Sequence, residues 1–150
     1  MKNVSPALRI VFALVVVFFA CLQIFSFIES RAVMPQVKGF VREFYLRYNS
    51  RDFDYLYNTL ASPKFKANIS RQDFRKLMGI VYANLGKARD LKISGWKIRH
   101  SKIGLYCEAR YRTRHDNAEA KEAFTLIRSV EGVWFVSGYH INSKNLILKK

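Results

Sequence analysis

The sequence contains little cysteine and no motif of the common cofactor-dependent or metal-dependent enzymes. Its two cysteines are Cys21, inside a long apolar run, and Cys107, far away in the second half of the chain. Such a pair predicts neither a disulfide framework nor a metal site. We also find no glycine-rich phosphate loop, no zinc-ligand spacing and no serine elbow. The sequence therefore predicts no metal, no cofactor and no catalytic residue that a motif would identify.

Acidic residues are also scarce, because 26 lysines and arginines stand against only 11 aspartates and glutamates, a formal net charge of +15. From Glu29 onward the chain holds 24 of the basic residues and all 11 acids, so its formal charge is 24 − 11 = +13. Such a charge attracts anionic surfaces and says nothing about the fold. Anionic lipid headgroups or an acidic protein are the expected partners. Nucleic acid is not expected, because we place this region outside the cytoplasm; a merely solvated basic surface is the alternative.

The longest uncharged run, Ile10–Ile28, has nineteen residues and follows a short flank, residues 1–9. It predicts a single membrane-spanning helix, since a cleaved signal has an apolar region of only about 7–15 residues. Cleavage at Cys21 or after Ala32 is the alternative. The two basic residues of the flank resemble the start of a secretory signal. We therefore expect a single-pass protein of the bacterial inner membrane whose domain lies in the periplasm.

Beyond the span, residues 29–35 are interpreted as a linker, residues 36–141 as one domain and residues 142–150 as a basic tail. Pro35 predicts the start of the first domain helix, since proline suits a first helical turn. Apolar residues then recur at helical spacing, which predicts one buried stripe. The stripe consists of Val37, Phe40, Val41, Phe44 and Tyr48.

Two further helices are predicted. A short one covers residues 52–60, and the stretch around Pro63 is interpreted as a turn because proline does not continue a helix. Ser70 is a typical N-cap of the next helix and Gly86 a typical C-terminal stop. The predicted buried positions of this last helix are Phe74, Leu77, Met78, Val81 and Leu85.

After Gly86 the hydrophobic period changes from about 3.6 to about 2 residues, which predicts strands. Short joints separate four of them, so each pair can form a hairpin. The strands cover residues 91–100, 103–114, 120–130 and 133–141. The predicted fold class is α+β, with an N-terminal transmembrane helix followed by three helices packed on a curved four-stranded antiparallel sheet.

Three segments carry a resemblance: "FVREFYLRYNSRDFDYLYNTLAS", "GKARDLKISGWKI" and "EGVWFVSGYHI". Together they resemble the nuclear-transport-factor-2-like superfamily of cone-shaped α+β domains, from about Gln36 to Ile141. That superfamily includes isomerases and cyclases, dimerising transport modules, small-ligand binders, and periplasmic domains of type IV secretion inner-membrane subunits. The last group is the most similar in architecture, although its N-terminal flank is usually longer. Fold alone does not choose among these functions.

Apolar residues occupy both odd and even positions along the later strands, so both faces of the sheet are apolar. A sheet with one solvent-exposed face would instead alternate regularly between apolar and polar residues. One face covers the helices, so we expect the other to bury itself in a homodimer or against a partner protein. The residues assigned to that open face are Phe124, Leu126, Val130, Trp134 and Val136, with Trp134 as the anchor.

The same parity places Cys107, Tyr111 and Tyr139 toward the cone interior, where they are the candidate ligand-binding residues. Enzymes of the resembling superfamily carry an ionisable side chain inside the cone. The opposite parity would instead bring Glu108, Trp134 and His140 together inside as a proton-transfer site. We favour a structural role for His140, because an unpaired histidine at a strand end more often makes a structural hydrogen bond.

Three arginines at alternate positions, Arg110, Arg112 and Arg114, form a basic stripe on one strand. We expect this stripe to bind an anionic surface, either an acidic protein or lipid headgroups. The favoured function is thus a membrane-anchored, non-enzymatic interaction or assembly module. The alternative is a membrane-tethered small-ligand-binding or isomerase-like cone domain.

Overall fold

A computed structural model of the chain describes residues 6–102 and 104–146, without the side chains of residues 6–10, 22 and 24–30. The chain divides into two compact units at Gln36–Val37. The second unit begins one residue after the predicted start of the domain. It combines helices with one four-stranded antiparallel sheet, so the α+β class is confirmed.

Helix α1 spans Pro6–Asn49 and includes Pro35 in its interior. The predicted linker, residues 29–35, is therefore helical, and Pro35 does not begin a helix. A proline inside a helix removes one backbone hydrogen bond, but the turns on either side keep theirs. Of the predicted stripe, only Phe40 is half-buried, while the other four residues are fully buried.

The predicted span, Ile10–Ile28, lies within α1, and part of its side chains falls outside the described residues. In the portion that is described, no helix is long and apolar enough to cross a membrane.

Two short helices follow α1. Helix α2 spans Phe53–Tyr55 and is capped by Asp52, whose side chain accepts a hydrogen bond from the Tyr55 amide. It continues as a π-helical turn, Leu56–Leu60. Helix α3, Pro63–Asn68, replaces the predicted turn. The prediction failed because Pro63 occupies the first helical position, where its missing N–H costs nothing, and Ser62 caps the helix.

Helix α4, Arg71–Leu85, has the predicted ends. The Ser70 hydroxyl accepts a hydrogen bond from the Asp73 amide at 3.1 Å, and Gly86 closes the helix with a positive φ of 78°. Four of its five predicted core residues are buried, but Leu77 is exposed. The predicted helix was correct, and its buried face is narrower than the pattern implied.

The sheet consists of β1 (Ala88–Ser101), β2 (Gly104–His115), β3 (Glu119–Arg128) and β4 (Trp134–Asn142) in sequential antiparallel order. This confirms the predicted meander. A short 3-10 turn, Lys144–Leu146, follows β4, and the rest of the predicted basic tail lies outside the described residues.

The core lies between α1 and one face of the sheet, called here the inner face. Phe44 of α1 packs edge-on against Phe124 of β3, with ring centroids 5.1 Å apart, and also contacts Tyr139 of β4 at 5.4 Å. Ala61 forms a parallel bridge with Val136, and the Ser62 amide donates to the Val136 carbonyl at 2.8 Å, so the residues that precede α3 extend the sheet beyond β4.

Candidate functional site

The inner face of the sheet contains all three predicted ligand-binding residues. Cys107 and Tyr111 of β2 are buried, and Tyr139 of β4 is half-buried against Phe44 and Phe124. Their predicted inward orientation agrees with the structure, while their role in ligand binding stays a prediction.

The predicted interface residues do not form an open face. Phe124 and Leu126 are completely buried, Trp134 is only 7% exposed and Val136 is also buried, while Val130 is 94% exposed beyond the end of β3. The expectation that these five residues form a surface for a dimer or partner is therefore wrong. Four of them belong to the chain's own core, and the fifth, Val130, is exposed to solvent.

A β-bulge in β4 explains this error for Trp134 and Val136. Thr125 pairs with Gly138 and Leu126 pairs with Val136, so Ser137 is an extra residue. An extra residue reverses the side-chain parity beyond it. Trp134, Val136 and Tyr139 therefore share the inner face, although strict alternation places Tyr139 opposite the other two.

The alternative proton-transfer site is not assembled either. His140 is exposed and pairs with Ala123 across the strands on the outer face, whereas Trp134 lies on the inner face. Glu108 is also on the outer face and forms a half-exposed ion pair with Arg99 at 3.5 Å. The extra residue at Ser137 places Trp134 and His140 on opposite faces of the sheet.

The structure instead reveals a buried polar cluster that the sequence analysis missed. Glu122 Oε1 lies 2.9 Å from His115 Nε2, and the side chains of this pair are 0% and 1% exposed. The other carboxylate oxygen, Oε2, accepts hydrogen bonds from the hydroxyls of Tyr45 and Tyr139, the latter at 2.6 Å. The Thr113 hydroxyl lies 3.5 Å from the Tyr45 hydroxyl. These five residues are called the Glu122 cluster.

His115 contacts both the end of α4 and the Glu122 carboxylate through its two ring nitrogens. Nδ1 lies 3.3 Å from the Gly86 carbonyl oxygen, and Nε2 lies 2.9 Å from Glu122 Oε1. Burial, followed by the charge of Glu122, raises the pKa of Tyr45 well above its usual value. Burial, followed by repulsion from the Tyr45 phenolate when that group is ionised, does the same for the pKa of Tyr139. Both phenols therefore keep their protons at neutral pH and act as donors.

The Glu122 cluster connects α1 to three strands. Tyr45 belongs to α1, while His115, Glu122 and Tyr139 belong to β2, β3 and β4. Tyr48, one helical turn after Tyr45, donates from its hydroxyl to the Gly86 carbonyl oxygen at 3.0 Å. Because Glu122 and His115 are sealed from solvent, no substrate can reach them in this arrangement. The cluster therefore holds the helix on the sheet through a fully satisfied buried network.

The outer face of the sheet carries the predicted arginine stripe. Arg110, Arg112 and Arg114 are all exposed, as expected. Arg112 stands directly opposite Lys92 of β1 and Lys121 of β3, so three cations form one row across three strands. A shallow groove of about 390 Å³ runs beside this row and reaches His140. The row Lys92–Arg112–Lys121, with Arg110 and Arg114, is called the basic face.

Cation pairing on the basic face is sparse. Lys92 has Asp90 at 3.4 Å, but within the described chain none of the three arginines or Lys121 has an acidic partner inside 4.0 Å. Some basic residues elsewhere are paired, as in Arg89–Asp116 at 2.6 Å and Arg71–Asp54 at 2.9 Å, whereas others, such as Lys38 and Arg42, have no acidic partner among the described residues. The basic face is thus an exposed positive surface in which, among the described residues, only Lys92 has an acidic partner inside 4.0 Å. At its edge, Arg114 stands opposite Asp90 of β1 and Glu119 of β3.

Metal and thiol chemistry have no support in the described residues. No group of three or more potential metal ligands occurs among them. Burial, followed by the charge of Glu108, raises the pKa of Cys107 to about 11, so its thiol stays protonated at neutral pH and is a poor nucleophile.

A simple signal could have identified Glu122. It precedes Phe124 and Leu126 at every second position along β3, so it lies on the same face as these core residues. A carboxylate on a buried face needs hydrogen-bonding or charged partners. His115 falls just outside the predicted strand 103–114, so the pattern assigns it to the joint between two strands, whereas in the structure it is the last residue of β2.

A scan against family models finds no match to this chain, and searches of curated proteins and of solved structures find none either.

Proposed function

We propose that the protein is a membrane-anchored, non-enzymatic interaction module that docks an acidic protein partner through the basic face of its sheet. The observation that supports this proposal is the row Lys92–Arg112–Lys121, in which three cations stand side by side. Like charges directly opposite each other destabilise a sheet by roughly 0.2–1 kcal/mol for each pair. An anionic partner would remove this cost, which makes the row suited to binding.

The outer face offers an acidic protein more than charge. Beyond the arginines, Tyr106, Ile127 and Phe135 are half-buried and stand in one row across three strands. A basic region next to an aromatic and aliphatic region resembles a protein interface, where aromatic residues and arginine are enriched. Lipid headgroups would use the charge but would leave the apolar row unpartnered at the membrane surface. The mixed character of the outer face therefore favours a protein.

The inner face argues against an enzyme. The Glu122 and His115 side chains of the Glu122 cluster are sealed from solvent, and each oxygen of the Glu122 carboxylate already has a partner from the chain. A general acid or base has to reach the proton that it transfers, directly or through one water molecule. Satisfaction and burial together favour a structural role for the Glu122 cluster.

The membrane anchor in this proposal rests on the uncharged run Ile10–Ile28, in which the described large apolar side chains from Val11 to Phe19 are exposed. A run of this length matches the thickness of a bilayer core. Fractionation of cells should place the protein in membranes after a high-salt wash. An N-terminus at Cys21 or Val33 in the mature protein, found by mass spectrometry, would contradict the anchor.

The docking experiment uses the full chain in its native membranes, with a photo-crosslinking amino acid at position 112 or 121. A crosslinker at Lys76, which is exposed on α4, serves as the control. We expect an acidic protein to be captured from positions 112 and 121 only. Capture from position 121 should be lost in a variant with Arg110, Arg112 and Arg114 all changed to serine. A matched variant loses the same charge elsewhere, through serine at Lys64, Lys76 and Lys87.

Three outcomes contradict the proposal. The first is equal capture from all three crosslinker positions, and the second is equal loss of capture in the two triple-serine variants. The third is binding of the purified chain to anionic vesicles that needs the three arginines, with no protein crosslinked from the basic face. Salt should weaken the docking, because exposed charges are screened over about 8–10 Å at physiological ionic strength.

A further inference from the structure

A cleft of about 210 Å³ opens between α1 and β1, on the inner side of the sheet and away from the basic face. Lys38, Val41 and Arg42 of α1 form one wall. Leu91 and Ile93 of β1 form the other, and Tyr111 of β2 also lines the cleft. This cleft is distinct from the Glu122 cluster, although Tyr111 pairs directly with Glu122 across β2 and β3.

Tyr111 has a polar group without a partner among the described residues. The residue is only 4% exposed, and within that part of the chain its buried hydroxyl oxygen makes no hydrogen bond. A buried hydroxyl without a partner is unfavourable by about 1–3 kcal/mol. Burial, followed by repulsion from the Cys107 thiolate that forms at high pH, raises the pKa of Tyr111 to about 12, so at neutral pH the hydroxyl keeps its proton and offers a donor.

Two cations stand at the same cleft. Lys38 and Arg42 are four residues apart on α1, so their side chains lie on one helical face, where like charges repel each other. Both are exposed, and within the described residues neither has an acidic partner. The nearest acid along α1, Glu43, instead accepts a hydrogen bond from the Tyr55 hydroxyl at 2.8 Å. An anion at the cleft would therefore meet two free cations and one free donor.

The remaining walls are apolar. Val41 is completely buried, and Leu91 and Ile93 are half-buried. A volume of about 210 Å³ has room for at least roughly seven non-hydrogen atoms, since a water molecule takes about 30 Å³ in the liquid. Free phosphate would place charged oxygens against these aliphatic walls. A carboxylate with a short hydrocarbon chain matches both the charged and the apolar parts.

We propose that this cleft binds a small aliphatic carboxylate, whose carboxylate group is held by Lys38, Arg42 and the Tyr111 hydroxyl while its hydrocarbon chain contacts Val41, Leu91 and Ile93. Arginine can pair with a carboxylate through two parallel hydrogen bonds, which gives the group a defined orientation. This proposal is independent of docking at the basic face, because the two sites lie on opposite faces of the sheet.

The test is a titration of the full chain, in a neutral detergent, with sodium hexanoate, followed by calorimetry and by the thermal unfolding midpoint. Hexanamide has a similar size and no charge, and inorganic phosphate has charge without a hydrocarbon chain. We expect saturable binding of hexanoate that raises the unfolding midpoint, with at least about tenfold weaker binding of the other two probes.

Variants of the cleft sharpen the test. Tyr111→Phe should bind hexanoate about tenfold more weakly and should unfold at the same midpoint as the parent or higher, because it removes an unpaired buried hydroxyl. Arg42→Gln, which changes an exposed side chain, should also weaken binding about tenfold. The matched control, Arg110→Gln on the basic face, removes the same charge and should bind like the parent.

The proposal is overturned if hexanoate shows no saturable binding, or if Tyr111→Phe and Arg42→Gln both bind it as the parent does. Equal binding of hexanoate and hexanamide would also overturn it, since that result shows partition into detergent or a purely apolar site. Phosphate binding as tight as that of hexanoate would reject the carboxylate class.

Discussion

His115 Nε2 and Glu122 Oε1 lie 2.9 Å apart in the interior of the domain, on two paired strands. Neither residue belongs to a recognisable motif, and the two are only seven positions apart in the sequence. The hairpin between β2 and β3 brings them together, and two tyrosines from α1 and β4 complete the cluster. This arrangement stabilises one defined packing of α1 on the sheet.

Glu122→Gln should lower the free energy of unfolding by about 1.5–3 kcal/mol, because hydrogen bonds to a buried charged group are lost or weakened. Glu108→Gln is the control, since Glu108 forms only a half-exposed ion pair on the outer face. The control should change stability by less than about 1 kcal/mol. Urea unfolding followed by circular dichroism measures both; an equal, small effect of the two changes would remove the structural role of the cluster.

Alkaline pH should destabilise the domain. In the unfolded chain the phenols of Tyr45 and Tyr139 lose their protons near pH 10, whereas burial raises both pKa values well above that in the folded state. Their contribution to stability is therefore fully present below about pH 10 and is lost as the pH rises toward the folded pKa. Unfolding midpoints measured across this range should fall, and Tyr139→Phe should give a shallower fall. A flat profile in the parent would contradict the raised pKa values.

Trp134→Glu should unfold the domain or cost at least about 3 kcal/mol, because it places a charge in the core. Val130→Glu is a direct comparison, since Val130 was predicted to share a surface with Trp134 but is 94% exposed. It should change stability by no more than about 0.5 kcal/mol. If sedimentation instead found that Trp134→Glu is a folded monomer and the parent a dimer, the four buried residues would have to belong to an interface.

Arg112→Thr should raise the free energy of unfolding by a few tenths of a kcal/mol, and at most by about 1 kcal/mol. The reason is the position of Arg112 between Lys92 and Lys121, where each neighbour repels it. The gain should shrink in high salt, since screening weakens the repulsion. Arg89→Thr, which breaks a 2.6 Å pair with Asp116, should have the opposite sign. A loss of stability in Arg112→Thr would show that the basic face is not repulsive.

Gly86→Ala should destabilise the domain by more than about 1 kcal/mol. Gly86 has a positive φ of 78°, and an added Cβ would lie 2.8 Å from Asp116 Cβ. Gly79→Ala is the matched change within α4, where an added Cβ meets nothing within 4 Å. That variant should stabilise the helix by about 0.5–1 kcal/mol. Thermal unfolding distinguishes the two, and similar effects would refute the role of the positive φ.

The sequence by itself determined the order and type of the main elements. The change of hydrophobic period after Gly86 predicted the sheet, since strands bury every second residue and helices every third or fourth. Ser70 and Gly86 predicted the ends of α4 because capping is a local property of a few neighbouring residues. The exposed arginine stripe was also predictable, since alternation along β2 is regular.

Only the tertiary structure decided which side chains meet. One extra residue at Ser137 reverses the parity of β4, and no local signal in the sequence gives the pairing partner of each residue. The burial of Trp134 depends on that register, whereas the pairing of His115 with Glu122 depends on the register of β2 against β3. The tertiary structure also decided that the Tyr111 hydroxyl has no hydrogen-bond partner among the described residues. The sequence cannot show this, because it does not give the positions of the neighbouring groups.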